Sequence, residues 1–273
     1  MRKIGEGGSS IVYLHELDGK KVAIKHFRTL LTKRKTDKIV KKLLLLKHQN
    51  LIEFLGYSIE PSTLILQYCS VNIDGESASS VSQVLEIWNE DNKFVFADRL
   101  DMIKQATAGL QALHENDIVH KDFKPSNLLV TGTSDRIVVK VSDFDDFYEI
   151  KKTVATITRS KVLFGCTLGY TANEICVDMC FPSFSSDIFS WAMTCFEIFS
   201  DLTSPWSNVI PIMNDAVFIK CLSEGKRPMI SDMEKNYTNV NGINELSCLV
   251  SKCWDQMPSN RPTVQKVFIH SSL

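Results

Sequence analysis

The apolar residues of this chain change their spacing once, near residue 68, and that change limits the folds open to it. Before that point they fall in short strand-like runs: Lys3-Ile4, Ile11-Val12-Tyr13-Leu14, Val22-Ala23-Ile24-Lys25, Ile52 to Tyr57 and Thr63 to Tyr68. Asp18-Gly19 lies between two of them and is a tight-hairpin signal. One stretch in this part is helical, Thr32 to Leu46, where Ile39, Val40, Leu43, Leu44 and Leu46 form a stripe. Beyond residue 68 the helical spacing takes over. Ile103, Leu110 and Leu113 share a face between Asp101 and His114, and Ile188 to Phe199 reads as a buried helix with Asp187 as its N-cap. Ile243, Leu246, Leu249, Val250 and Cys253 give a further helix. Ser70 to Ser82, rich in serine and acid, reads as a flexible surface connection. The expectation is an α+β chain: a small antiparallel β-rich part with one main helix, then a larger, mostly helical part.

Composition narrows the function classes. With 273 residues, 44% of them hydrophobic, the chain can bury a sizeable core as one domain or two tightly joined lobes. A formal net charge of -1 argues against non-specific binding to nucleic acid or an anionic membrane. The basic runs Lys33-Arg34-Lys35 and Lys41-Lys42 read as a solvated helix face. No signal peptide is visible after Met1-Arg2-Lys3, and no apolar run is long enough to span a bilayer. The eight cysteines show no framework spacing, and Cys176 and Cys180 have no histidine pair nearby to complete a zinc site. Reduced thiols and a cytoplasmic, intracellular setting are expected.

The chemistry concentrates in Ile118 to Asn127, IVHKDFKPSN, followed by Val141-Ser142-Asp143-Phe144. Two carboxylates, an amine and an amide lie between apolar runs that read as strand edges. Such a set suits phosphoryl transfer with metal ions: Asp122 can take a proton from an attacking hydroxyl, and Lys124 can hold the phosphate in flight. Asn127 and Asp143 offer hard oxygen ligands to Mg²⁺.

This order, HxDxKxxN and then DF, resembles the protein kinases. Further signatures stand in register on both sides, and the resemblance runs from Ile4 to about Val267. It implies the two-lobed kinase fold over residues 1–273, with an N-lobe to about 68, a hinge at about 67–70 and a C-lobe from about 71. The chain is then a bare catalytic domain or a fragment cut close to one. Gly5-x-Gly7-x-x-Ser10-x-Val12 resembles the glycine-rich loop, with Ser10 in place of the third glycine. Lys25, closing Val22-Ala23-Ile24-Lys25, would contact the α- and β-phosphates of ATP. Ile4, Val12, Ala23 and Leu129 would sandwich the adenine, Leu66 would be the gatekeeper, and Gln67 to Cys69 would offer hinge backbone groups. Cys166-Thr167-Leu168-Gly169-Tyr170-Thr171-Ala172-Asn173-Glu174 resembles GTxxYxAPE, so Thr167 would hydrogen-bond near Asp122 and Lys124. Glu174 would pair with Arg261 as a structural link, and Asp187 would hold the backbone of the catalytic loop. Lys124 and Thr167 imply the serine/threonine type. Cys253-Trp254, Arg261-Pro262 and Pro205-Trp206 are most similar to the tyrosine-kinase-like group.

The chain also departs from that pattern. Residues 26 to 52 contain no glutamate, and Ile39 occupies the position from which a helix glutamate would hold Lys25. Asp37, two residues away, should face about 200° around the helix. Lys121 replaces the usual arginine, keeping the charge but losing the bidentate fork. Asp145 replaces the glycine of DFG and Asp146 adds a second charge; Thr131 to Asp135 lengthens the connection between Asn127 and Asp143 as a wider hairpin. Thr153, Thr156, Thr158 and Ser160 are candidate regulatory hydroxyls. Three readings stand: an ATP- and Mg²⁺-dependent kinase acting on protein substrates, a pseudokinase serving as a nucleotide-binding or scaffolding module with partner proteins, and a kinase-fold enzyme acting on small molecules.

Overall fold

The computed structural model describes residues 1–90, 95–144, 148–149, 166–200, 204–210 and 214–270. Asp145, Asp146, Thr153, Thr156, Thr158 and Ser160 lie outside them.

The N-lobe is an antiparallel sheet of β1 (Arg2–Glu6), β2 (Ser10–Leu17), β3 (Lys20–Phe27), β4 (Phe54–Ser58) and β5 (Thr63–Gln67), in the order β1-β2-β3-β5-β4. Asp18 and Gly19 both take positive φ, 49° and 74°, the geometry that a two-residue hairpin turn requires. Between β3 and β4 runs α1 (Lys33–Leu45), entered at Thr32, whose hydroxyl accepts the Lys35 N–H at 3.3 Å. It docks through Thr36, Ile39, Val40 and Leu43, a spacing that keeps all four on one face.

The segment after β5 corrects the sequence reading. It is not a flexible surface connection but a hairpin, β6 (Val71–Ile73) with β7 (Glu76–Ala78), and Val71, Ile73 and Ala78 are buried. Its turn is Asp74-Gly75, with φ of 51° and 96°, the same dipeptide signal as Asp18-Gly19 but hidden among serines and acids. Ser79 C=O then accepts the Val130 N–H at 3.1 Å, which moors the segment to the C-lobe.

The C-lobe holds α2 (Val81–Glu90), α3 (Phe96–Glu115), α4 (Asn173–Cys176), α5 (Phe184–Phe199), α6 (Asp215–Ser223), α7 (Ile230–Glu234), α8 (Ile243–Cys253) and α9 (Val264–His270). No helix among the described residues is long and apolar enough to cross a membrane. α3 starts five residues before Asp101, and Phe96 and Leu100, four apart on that first turn, pack against the core. The short strand β8 (Ile118–Val119) pairs with β11 (Tyr148–Glu149), and β9 (Leu128–Thr133) with β10 (Arg136–Val141). Thr131 to Asp135 therefore does not widen a hairpin; it lengthens the two strands, which stay paired out to Thr133 and Arg136. α5 runs through the centre of the lobe, buried from Ser186 to Phe199. Its cap is Ser183, in a reciprocal capping box with Ser186, not Asp187.

One continuous core joins the lobes, with Ile39, Leu43, Leu64, Phe144, Leu128 and Trp191 among its members. A second main-chain junction supplements the covalent passage after β5. Leu51 bridges Val141, the Ile52 N–H donates to Val141 C=O at 2.9 Å, and the Val141 N–H donates to Asn50 C=O at 2.8 Å. α3 comes up against this junction through Gly109, where a Cβ would lie 2.5 Å from Asn50 O and 2.6 Å from Val141 Cγ2. In an open helix Gly→Ala gains about 1 kcal/mol. Here the clash reverses the sign: Gly109→Ala is expected to lose about 1–3 kcal/mol in urea denaturation, as overpacked sites do.

Candidate active site

β3 sets the first part of the site. In register, Val12 lies opposite Lys25, Lys25 opposite Leu64, and Ala23 opposite Leu66, while Gly5 lies opposite Val12. Directly paired residues and those two apart share a sheet face, so Val12, Ala23, Lys25 and Leu66 stand together beside the glycine turn. Ile4, at an irregularity in the β1 register, is exposed. Leu129 comes from β9 in the other lobe, and it and Leu66 pack half-buried against the common core. The Gln67 N–H donates to Glu53 C=O at 2.9 Å, and Cys69 is buried, which pushes its thiol up to about 12.

Lys25 is itself buried, its side chain only 7% exposed, and its ammonium pairs with the Asp143 carboxylate. Ile39 is 4% exposed and sits in the apolar core, so α1 is held there by packing, while Asp37 faces solvent. Burial alone would raise the Asp143 carboxyl; Lys25, with His120 and Lys124, outweighs that and holds it below its usual value. Asp143 thus stays an anion, and its side chain is still 49% exposed toward the cleft.

The second part closes around Asp122. One carboxylate oxygen is 2.7 Å from Lys124 Nζ and accepts Asn127 Nδ2 at 3.0 Å; the other accepts the Thr167 N–H at 3.0 Å. Lys124 Nζ also donates to Thr167 Oγ1. Asn127 Nδ2 makes a further bond to Asp122 C=O at 2.7 Å, so the amide nitrogen is committed and the carbonyl oxygen is the end left for a ligand. With Asp143 that makes two hard oxygen donors of a kind that fits Mg²⁺.

This loop is strained and braced. Lys121 and Asp143 take φ of 76° and 63°, the left-handed region that costs a non-glycine residue about 1–3 kcal/mol. Asp187, 0% exposed, accepts the His120 N–H at 2.8 Å and the Lys121 N–H at 2.9 Å, and binds His114 Nε2 at 2.9 Å. His120 Nε2 bonds Ser142 C=O at 2.9 Å, tying the loop to the residue before Asp143. Ser190 Oγ donates to Tyr170 C=O at 2.8 Å, Thr194 Oγ1 to Phe123 C=O at 3.2 Å, and Tyr170 OH to the Glu197 carboxylate. Sequence reading singled out Asp187 and missed Ser190, Thr194 and Glu197. The signal was there: polar residues at i, i+3, i+7 and i+10 fall within an arc of about 80° on a helix that is otherwise apolar from Asp187 onward.

Glu197 carries a pH consequence. Burial raises its carboxyl from 4.5 to about 7, opposed by the Tyr170 hydroxyl bond. A folded pKa above the unfolded one means the native state binds more protons between the two. The stabilisation is therefore full below about 4.5 and is lost as pH rises to about 7. Glu197→Gln is expected to flatten that pH dependence in thermal melts and to gain stability on the order of 3 kcal/mol at pH 8.

Glu174 and Arg261 meet at Oε1–Nη1 2.7 Å and Oε2–Nη2 2.8 Å. Arg261 also donates to Asp255 C=O, Ser185 C=O and Asn173 Oδ1, and Asn173 Nδ2 donates to Gln256 C=O at 3.0 Å. Asparagine in place of proline is thus wired into the same junction.

A small antiparallel sheet with one helix, a helical lobe, and this carboxylate–lysine–amide cluster make up the two-lobed α+β architecture of a protein kinase domain. The protein kinase domain family matches residues 1–273, and the chain belongs to that family. It is 27% identical over 97% of its length to a probable serine/threonine-protein kinase of Dictyostelium discoideum, covering 19% of that protein. It is 25% identical over 98% of its length to the mitogen-activated protein kinase kinase kinase dlk-1 of Caenorhabditis elegans, covering 25% of it. A cysteine-rich receptor-like protein kinase of Arabidopsis thaliana matches at 26% over 97% of the chain and 70% of its own length. The chain spans less than a quarter of the first of these relatives.

Proposed function

We propose that the chain transfers the γ-phosphate of ATP to serine or threonine hydroxyls of protein substrates, as a member of the tyrosine-kinase-like group. The observation that carries this reading is the closure of Asp122, Lys124, Asn127 and Thr167 into one hydrogen-bonded cluster, although Thr167 is 45 residues from Asp122. Asp122 would orient the attacking hydroxyl and take its proton. Lys124 would stabilise the phosphoryl group in flight, with Thr167 fixing its ammonium. Lys25 and the Gly5–Gly7 turn would hold the phosphates, with Ile4, Val12, Ala23, Leu66 and Leu129 around the adenine and Gln67 to Cys69 at its edge. Asn127 and Asp143 would hold Mg²⁺, which when bound supplies charge neutralisation between the phosphates. Asp187, Glu174 and Arg261 act as supports. The lobe limits at about 68 and 71, an intracellular setting and regulatory partner proteins belong to the same reading.

The alternative is a pseudokinase, and the buried Ile39 favours it, because α1 brings an apolar residue where the family has a carboxylate. Incubation with Mg²⁺-ATP and a panel of protein substrates, with Asp122→Asn and Lys25→Met alongside, separates the two. Transfer that both substitutions abolish supports the kinase; nucleotide-induced thermal stabilisation without transfer supports the pseudokinase.

A further inference from the structure

We propose that Arg28 is a positioning residue that clamps the glycine-rich turn in its phosphate-accepting shape; this rests on the nucleotide reading of that turn. Arg28 is the first residue past β3, three beyond Lys25, and it grips the turn at three points, Glu6, Gly7 and Ser9. Its guanidinium pairs with the Glu6 carboxylate, its Nε donates to Gly7 C=O at 3.3 Å, and its backbone N–H donates to Ser9 C=O at 2.9 Å. The turn closes on itself through the Gly7 N–H and Ser10 C=O at 2.9 Å. Otherwise the tip stands clear: a Cβ built on Gly7 or Gly8 would meet nothing within 4 Å. Two adjacent glycines in open space have the largest backbone freedom to lose when phosphates bind. A side chain that already holds Gly7 C=O and Glu6 removes part of that loss before the ligand arrives.

The second effect is charge. Glu6 is a carboxylate in the turn itself, and unneutralised it would repel a polyphosphate. Lys3, and then Arg28, hold the Glu6 carboxyl below its usual value, so both cations cover it. Losing Arg28 therefore both loosens the turn and leaves the repelling charge covered by Lys3 alone, whereas losing Glu6 loosens the turn but removes the charge. Arg28→Ala should be the more damaging of the two.

The test measures ATP and adenosine affinity by calorimetry for the 273-residue chain, Arg28→Ala, Arg28→Lys, Glu6→Gln and the double variant, with backbone order parameters at Gly7 and Gly8. Arg28→Ala is expected to weaken ATP about three- to fivefold, the range of a single exposed ion pair, and to leave adenosine unchanged. Arg28→Lys should restore part of the loss, and the double variant should fall short of the sum of the two singles. Unchanged ATP affinity, or an equal loss for ATP and adenosine, overturns the proposal. If the wild-type chain binds neither ligand, the nucleotide reading fails and the phosphate role fails with it. The order parameters then judge the clamp alone: unchanged values at Gly7 and Gly8 in Arg28→Ala overturn that as well.

Discussion

Asp122→Asn is expected to cut phosphate transfer by roughly 10²–10⁴-fold, the usual worth of general-base help, while leaving nucleotide affinity near that of the wild type. The substitution keeps the side-chain volume and an oxygen for the Thr167 N–H, which Asp122 accepts at 3.0 Å. It removes the negative charge 2.7 Å from Lys124 Nζ and the oxygen that would receive the substrate proton. Loss of the charge also frees Lys124 to swing toward phosphate, so a small rise in ATP affinity is compatible with the reading. Radiolabel incorporation into a protein substrate, beside a binding isotherm, distinguishes chemistry from binding. Equal incorporation by Asp122→Asn and wild type would end the case for a base at this position, and no incorporation by either would favour the pseudokinase.

Arg261→Ala should be the most destabilising of the substitutions considered. It leaves Glu174 as a buried carboxylate without its partner and strips donors from Asn173 Oδ1, Ser185 C=O and Asp255 C=O. Breaking one side of a buried pair costs about 3–5 kcal/mol. For a chain of this size that is a fall in Tm of roughly 6–20 °C. Arg261→Lys keeps the charge without the planar fork and should fall between. Glu174→Gln with Arg261→Met, which removes both charges, should lose less than Arg261→Ala alone. A melt of Arg261→Ala within a degree of wild type would show that the junction contributes little.

Much of this was legible in the sequence because local chemistry and tertiary structure agree. Asp18-Gly19 has one favoured geometry, and the α1 stripe has one face to bury, on which Ile39, Val40 and Leu43 lie while the expected Leu44 is exposed. The hydrogen-bonded cluster around Asp122 was legible because its members are chemically unlike their apolar neighbours. What escaped notice had its signal masked. Asp74-Gly75 was lost among serines and acids, and Ser183 was overlooked because Asp187 was the more conspicuous acid near the helix start. That Lys25 would turn to Asp143 could not be read from β3 or α1, since the partner lies 118 residues away. Asn173 stands where the family pattern GTxxYxAPE has proline. Its amide bonds to Arg261 and Gln256 exist only once two distant segments have met.

The two main-chain junctions between the lobes have a mechanical consequence. They leave the N-lobe sheet at one corner, because Phe54, just after the Leu51–Ile52 junction, pairs with Leu66, just before the passage out of β5. The glycine turn lies at the diagonally opposite corner: β1 and β2 are the far edge, and Ser10 pairs with Phe27 at the end of β3 that meets Ser62. A plate fastened at one corner deflects least there and most at the corner opposite. Lys25, midway along the central strand, should shift little for a given tilt of the sheet, while the turn travels farthest. The geometry of attachment thus leaves the glycine turn as the free end of a cantilever, with Lys25 close to its fixed part.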